Sequence, residues 1–202
     1  MQLLDSAPEG AAENLALDEM LLGQGDEVLR FWESTTPVVV VGQSGRIAEQ
    51  VRVDACSADG VSILRRCSGG GAVVLARGCL NYSFIFSLQH RPAWHNVRLS
   101  VREILGRMAA VLDVDVQAPA DLSRNGRKVS GSAQRRTATA LLHHGTILYS
   151  FDPELAERYL QPPTRQPAYR AGRTHRDFLG TVPFSAPELQ QRIAKAWDLR
   201  VT

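Results

Sequence analysis

"RRCSGGGAV", from Arg65 to Val73, joins two apolar segments, "VSIL" before it and "VVLA" beyond it. Glycine loses more backbone freedom on folding than any other residue. Three in succession, Gly69 to Gly71, therefore mark a chain that bends sharply or lies close against something. The flanking apolar runs have the length of strands. A strand, not a helix, follows the glycines. That excludes two nucleotide loops: the dinucleotide fingerprint needs GxGxxG opening a helix, and the ATPase P-loop needs GKS or GKT opening one. Successive glycine N–H groups form a concave donor nest, so an anion still fits. Alternation along the strand sends Arg65 and Arg66 to opposite faces, leaving one of them to face the same ligand. A glycine-rich hairpin with a solvated arginine pair accounts for the segment as well.

Working outward, "AAENLALDEMLL" carries apolar residues at helical spacing and predicts a helix over about Ala12 to Gly23, with Asp18 and Glu19 on its surface. "EVLRFWES" and "PVVVVGQ" read as strands, the second apolar on both faces and so central. "VRVDACSADG" reads as a short helix ended by Gly60. "AVVLA" and "LNYSFIFSL" are strands separated by Arg77-Gly78, and Val97 to Leu112 is the clearest helix. Asn125-Gly126 is a hairpin turn signal that puts Lys128 on the return strand. "ALLHHGTILYSF" is another strand, with His143 and His144 on opposite faces. "DPELAERYL" is a short helix capped by Asp152. "QPPTRQPAYRAGRTHRDF" is irregular, and a last helix runs from about Ala186 to Trp197. Strands and helices are interleaved, so a mixed sheet with helices packed on it, an α+β fold, is expected.

The chain has 202 residues, 44% apolar and 22% charged, with a formal net charge of +2. These values fit one soluble domain with a full core and no polyelectrolyte role toward nucleic acid. Three cysteines without a CxxC pair give neither a disulfide framework nor a zinc site, so no metal site is expected. No basic segment leads into an apolar run at the start, and no apolar run approaches the roughly 20 residues of a membrane span. A cytoplasmic location is expected. Of the 23 basic residues, only Lys128 and Lys195 are lysines. Lys128 lies in "RNGRKVSGSAQRR", where a solvated charged hairpin competes with a compact ammonium placed to neutralise two oxygens at once, as an adenylation step requires.

"RRCSGGGAV", "LNYSF", "GRKVSGSAQRR" and "HHGTILYSFD", in this order and spacing, together with the opening "AAENLALDEMLL" and "PVVVVGQS", resemble the lipoate–protein ligase A family of the biotin/lipoate ligase and octanoyltransferase superfamily. The resemblance spans about residues 1 to 180. It implies a class II synthetase-like catalytic domain, a mixed β-sheet flanked by helices, occupying residues 1–202 without the accessory C-terminal domain of longer ligases. It implies lipoate and ATP, with Mg2+, as substrates and cofactor. Lipoyl-AMP is formed, and the lipoyl group passes to a lysine of an acceptor lipoyl domain of the 2-oxoacid dehydrogenase E2 or glycine cleavage H protein type. Lys128 matches the essential lysine. Arg66, Ser68, Gly69, Gly70, Gly71, Ala72, Val73, Asp121, Ser130, Gly131 and His144 fall on the adenylate site. Two positions depart from the pattern: Leu75 stands where a histidine is common, and Ala120 where an asparagine often precedes the acid. The missing accessory domain leaves room for a partner subunit.

Two other functions stay open at this level. An ATP-independent octanoyl or lipoyl transferase would use a nucleophilic cysteine, yet "QAPADLSRNGRK" has none; Cys67 and Cys79 flank the glycine loop and read as small buried residues. A non-catalytic lipoyl-domain binder would have no need of Lys128. Nucleic-acid binding lacks aromatic platforms or a recognition helix, and the arginines of "QRR" and "YRAGRTHR" suit an acidic protein partner or plain solubility.

Overall fold

A computed structural model describes residues 1–4 and 7–200. Two sheets organise the chain. The larger has seven strands in the order β1-β2-β6-β10-β9-β8-β7, formed by β1 (Gln2–Leu4), β2 (Val28–Glu33), β6 (Cys79–Ser87), β10 (Ala140–Leu148), β9 (Arg127–Arg136), β8 (Asp121–Arg124) and β7 (Asp115–Gln117). Only the β1–β2 pair in it is parallel. The smaller sheet is β4 (Ser62–Arg65), β3 (Val38–Val41) and β5 (Val73–Leu75), with β3 central, parallel to β4 and antiparallel to β5. All four valines of β3 are buried, as expected of a central strand covered on both faces.

Period-two alternation distributes β6 between two cores. Leu80, Tyr82, Phe84 and Phe86 pack with Ile104, Leu105 and Met108 of α4 (Val97–Leu112) and with Leu189 and Ile193 of α7 (Ala186–Lys195). Ile85 faces the other way, with Leu142, onto Leu21 and Leu22 of α1 (Ala11–Gln24). A separate cluster joins the smaller sheet to Ala156 and Tyr159 of α5 (Pro153–Tyr159) and Cys56 of α3 (Val53–Ala58). Burying either face of β6 alone would leave a wet apolar stripe; helices on both sides of the sheet remove it.

Local chemistry sets the element ends. Asn96 accepts from the Leu99 amide and starts α4, which Asp113 ends in the left-handed conformation, φ 54°. Asp152 caps α5 through the Glu154 amide. Asn125 and Gly126 both have positive φ, 53° and 71°, and turn β8 into β9 as the sequence predicts. The stretch expected to be irregular holds a 3-10 turn, Ala168–Arg170, and a short helix α6 (His175–Phe178) capped by Thr174. A one-turn helix α2 (Ile47–Gln50), also without a sequence expectation, follows β3. Among the described residues no helix is long and apolar enough to cross a membrane.

Candidate active site

The glycine loop lies between the two sheets, and what it lies against is backbone. Gln43 N–H donates to the Ser68 carbonyl at 2.8 Å, and a Cβ at Gly42 would run into the Gly70 carbonyl. Gly70 itself has φ 94°, which L side chains rarely adopt. Arg66 threads the loop from inside. Its Nη2 donates to the Gly69 and Gly71 carbonyls at 2.6 and 2.9 Å, and its Nε to Ser68 Oγ at 3.1 Å. Arg65, at the end of β4, does the same for the neighbouring turn, donating to the Gly42, Gln43 and Gly45 carbonyls at 2.7, 2.9 and 3.0 Å. The two arginines are thus not one ligand contact and one spare; each clamps a loop. Arg66 has no carboxylate within salt-bridge distance among the described residues, and burial pulls its pKa down to about 10. The outer faces of Gly69 and Gly71 are open: a Cβ there would meet nothing within 4 Å.

Ser68 fastens this loop to the larger sheet. Its Oγ, fully buried, lies 2.6 Å from His144 Nε2 on β10. His144 Nδ1 lies 3.1 Å from Asp18 Oδ2 on α1. Asp18 accepts from Arg30 Nη1 at 2.6 Å and from Ser83 Oγ at 2.7 Å, and Arg30 also donates to the side chain and carbonyl of Asn14. Asp18, expected on the helix surface, is therefore 1% exposed, while Glu19 is exposed as expected. Burial alone would raise the Asp18 carboxyl; His144, Arg30 and Ser83 outweigh it and hold it below the usual carboxylate range. His143, on the other face of β10, is bonded to Gln134 at 3.0 Å, and burial takes its pKa down to about 3.

Lys128 reaches the same face as His144 because of a β-bulge. Asp121 pairs with Gly131 and Leu122 with Ser130, but Ser123 pairs with Lys128, so Val129 is an extra residue. Strict alternation would put Lys128 on the face of Ser130, which is turned to the core with Leu122 and Ile147. The bulge re-aims it onto the face of Gly131 and Asp121. There its ammonium lies 2.7 Å from Asp121 Oδ1 and occupies the space a Gly131 side chain would need, 2.7 Å from that Cβ position. Gly131 pairs with Thr146, two residues along β10 from His144, a step of about 7 Å. Asp121 Oδ2 accepts from the Tyr169 hydroxyl at 2.8 Å.

Of the residues singled out in the sequence, Lys128, Asp121, Gly131 and His144 thus share one sheet face, and Arg66, Ser68 and Gly69 to Gly71 form the loop tied to that face. Ala72 and Val73 are half-buried where the loop enters β5. Ser130 departs from the expectation, because its side chain points into the core. Asp18, Arg30 and Tyr169 were missed. A signal existed for the first: Asn14, Asp18 and Leu21 stand at i, i+4 and i+7, which puts two polar residues on the buried stripe of α1.

Residues 10–181 match the family model for the lipoyl protein ligase A/B catalytic domain. The chain belongs to this family, whose members include ligases and transferases. It is 32% identical over 186 residues to octanoyltransferase LipM of Carboxydothermus hydrogenoformans, covering 79% of this chain and 69% of that protein. It is 29% identical over 167 residues to lipoate-protein ligase A of Psychrobacter cryohalolentis, covering 80% of this chain and 48% of that one. The chain thus spans about half the length of that ligase. Among solved structures, the bipartite lipoate protein ligase of Thermoplasma acidophilum shares the fold with a TM-score of 0.77 at 23% identity, over 100% of this chain and 86% of that one. A lipoate-protein ligase A bound with ATP gives the same TM-score and identity, over 100% and 87%.

Proposed function

We propose that this chain is an ATP-dependent lipoate–protein ligase: the lipoate carboxylate displaces pyrophosphate from ATP, and a lysine of an acceptor lipoyl domain then displaces AMP from the lipoyl group. The observation that carries this reading is a lone, bulge-directed ammonium, Lys128, on the face to which a cation-clamped glycine loop is tied. The residues fit the phosphate and carboxylate of such substrates. Lys128 is compact and partly exposed, so its charge is available to oxygens that become more negative in the transition state. Arg66 adds a positive charge beneath a loop whose outer glycine faces are open to close approach. His144 and Ser68 hold the loop in register with β10. Among the described residues no three His, Cys, Asp or Glu side chains converge as metal ligands; Mg2+, which is usually held by one or two carboxylates together with substrate phosphates, would enter with the nucleotide.

An ATP-independent transferase is the second reading, because the relatives include octanoyltransferases. The cysteines speak against it. Burial, with Glu19 and Asp18 nearby, pushes the half-buried Cys67 thiol up, and burial pushes Cys79 to about 12. A thiolate nucleophile needs the opposite shift. The Thermoplasma relative is described as bipartite and together with its E2 lipoyl domain; a separate accessory subunit and an E2- or H-protein-type acceptor are part of the proposal.

The test is lipoate-dependent exchange of labelled pyrophosphate into ATP by the purified chain, alone and with any accessory subunit, beside transfer from an octanoyl carrier protein. Exchange that Lys128→Ala lowers by about 10²–10³-fold without changing the melting temperature is expected. Carrier-dependent transfer without exchange would replace the ligase by the transferase.

A further inference from the structure

Tyr169 is not called for by the fold around it. The segment that carries it is already fastened to the β8–β9 hairpin by contacts to main chain: Arg173 Nη2 donates to the Gly126 carbonyl at 2.9 Å, Arg127 Nη2 to the Arg176 carbonyl at 2.7 Å, and Gly180 N–H to the Lys128 carbonyl at 2.8 Å. The Tyr169 ring packs on Phe178, centroids 5.0 Å apart, and a phenylalanine would do the same. What the hydroxyl adds is a single hydrogen bond, at 2.8 Å, to the Asp121 carboxylate oxygen that Lys128 does not use. Burial and the Asp121 charge push the Tyr169 phenol well above its ordinary range, so it remains a donor.

We propose that Tyr169 is a positioning residue that sets how tightly Asp121 holds Lys128. Resting on the ligase reading, this concerns the same ammonium. A carboxylate that accepts from a phenol on one oxygen has less charge to give on the other. Lys128 is then held in place by Asp121 but released to an incoming anion. Without the phenol, Asp121 turns its full charge on Lys128, and substrate oxygens must compete with a stronger partner.

The chain's lysine count makes this measurable without any substrate. Lys128 and Lys195 are the only lysines, and Lys195 is exposed on α7. Trinitrobenzenesulfonate labelling at fixed pH, read by peptide mass, gives the reactivity of each. In Tyr169→Phe, Lys128 should label more slowly by about threefold or more, with Lys195 unchanged and melting unaltered. In an Asp121→Asn background, the same substitution should change nothing. Unchanged or faster labelling of Lys128 in Tyr169→Phe, or an equal effect in the Asp121→Asn background, overturns the proposal. In the exchange assay, Tyr169→Phe should raise the KM for ATP more than it lowers kcat. If the wild-type chain shows no exchange even with an accessory subunit, the ligase reading fails, and the labelling result still decides the role of Tyr169.

Discussion

Asp18→Asn tests whether the buried relay beneath the glycine loop is structural. The substitution keeps the size of the side chain and removes its charge. Asp18 holds three partners, Arg30 at 2.6 Å, Ser83 at 2.7 Å and His144 at 3.1 Å, and both Asp18 and Arg30 are almost inaccessible to water. Arg30 would keep Asn14 but lose its only carboxylate among the described residues. Breaking a buried ion pair by removing one partner costs about 3–5 kcal/mol. For a chain of this length each kcal/mol lowers the melting temperature by roughly 2–4 °C, so a fall of about 6–20 °C is expected. Urea unfolding is the assay, with the slope unchanged and the midpoint lowered. The double variant Asp18→Leu, Arg30→Met removes both charges and should recover at least half of the loss, since apolar replacement of a buried pair is often neutral. A loss below about 1 kcal/mol in Asp18→Asn, or a double variant no better than the single, would refute the reasoning.

Two further outcomes are expected. Gly131→Ala places a Cβ 2.7 Å from the Lys128 ammonium; turnover should fall by about tenfold or more while the melting temperature moves by only a few degrees, because the displaced atom ends a flexible side chain, and equal turnover would put Lys128 elsewhere during the reaction. Acid should destabilise the chain through His143: its pKa is about 3 when folded against 6.5 ordinarily, so below pH 6.5 the unfolded chain binds the extra proton and stability falls as pH falls. Between pH 7 and pH 5 this amounts to about 2 kcal/mol, and His143→Gln should remove most of that slope in urea titrations.

The elements were legible where one physical rule decided them. The all-valine β3, the alternation of β6, the 3.6-residue period of α4 and the Asn125-Gly126 turn each depend on residues close in sequence. The sharp bend of the glycine loop and the place of Lys128 on the strand after the turn were legible for the same reason. What was not legible is long-range. Asp18 is buried because β2 brings Arg30 and β10 brings His144 to it, partners 12 and 126 residues away. Tyr169 meets Asp121 across 48 residues, from a stretch rich in proline and arginine whose composition argues only for irregularity. Ser130, which the resemblance puts at the site, turns its side chain to the core, a direction that nothing in "RKVSGSA" announces. Arg65 and Arg66 were read as rivals for one ligand, since carbonyl acceptors on neighbouring turns carry no side-chain signature.

The bulge at Val129 makes the chemistry of this hairpin a matter of parity. The side chain of residue 128 faces Asp121 and Gly131 because an odd residue intervenes between it and its ladder partners. Substitutions in "KVSG" leave that count alone, whereas losing or gaining one residue there would swing the ammonium through the sheet into the core, and changing the number by two would bring it back. A library built by shortening or lengthening this hairpin would accordingly separate into working and silent members by even and odd steps, whatever residues it used.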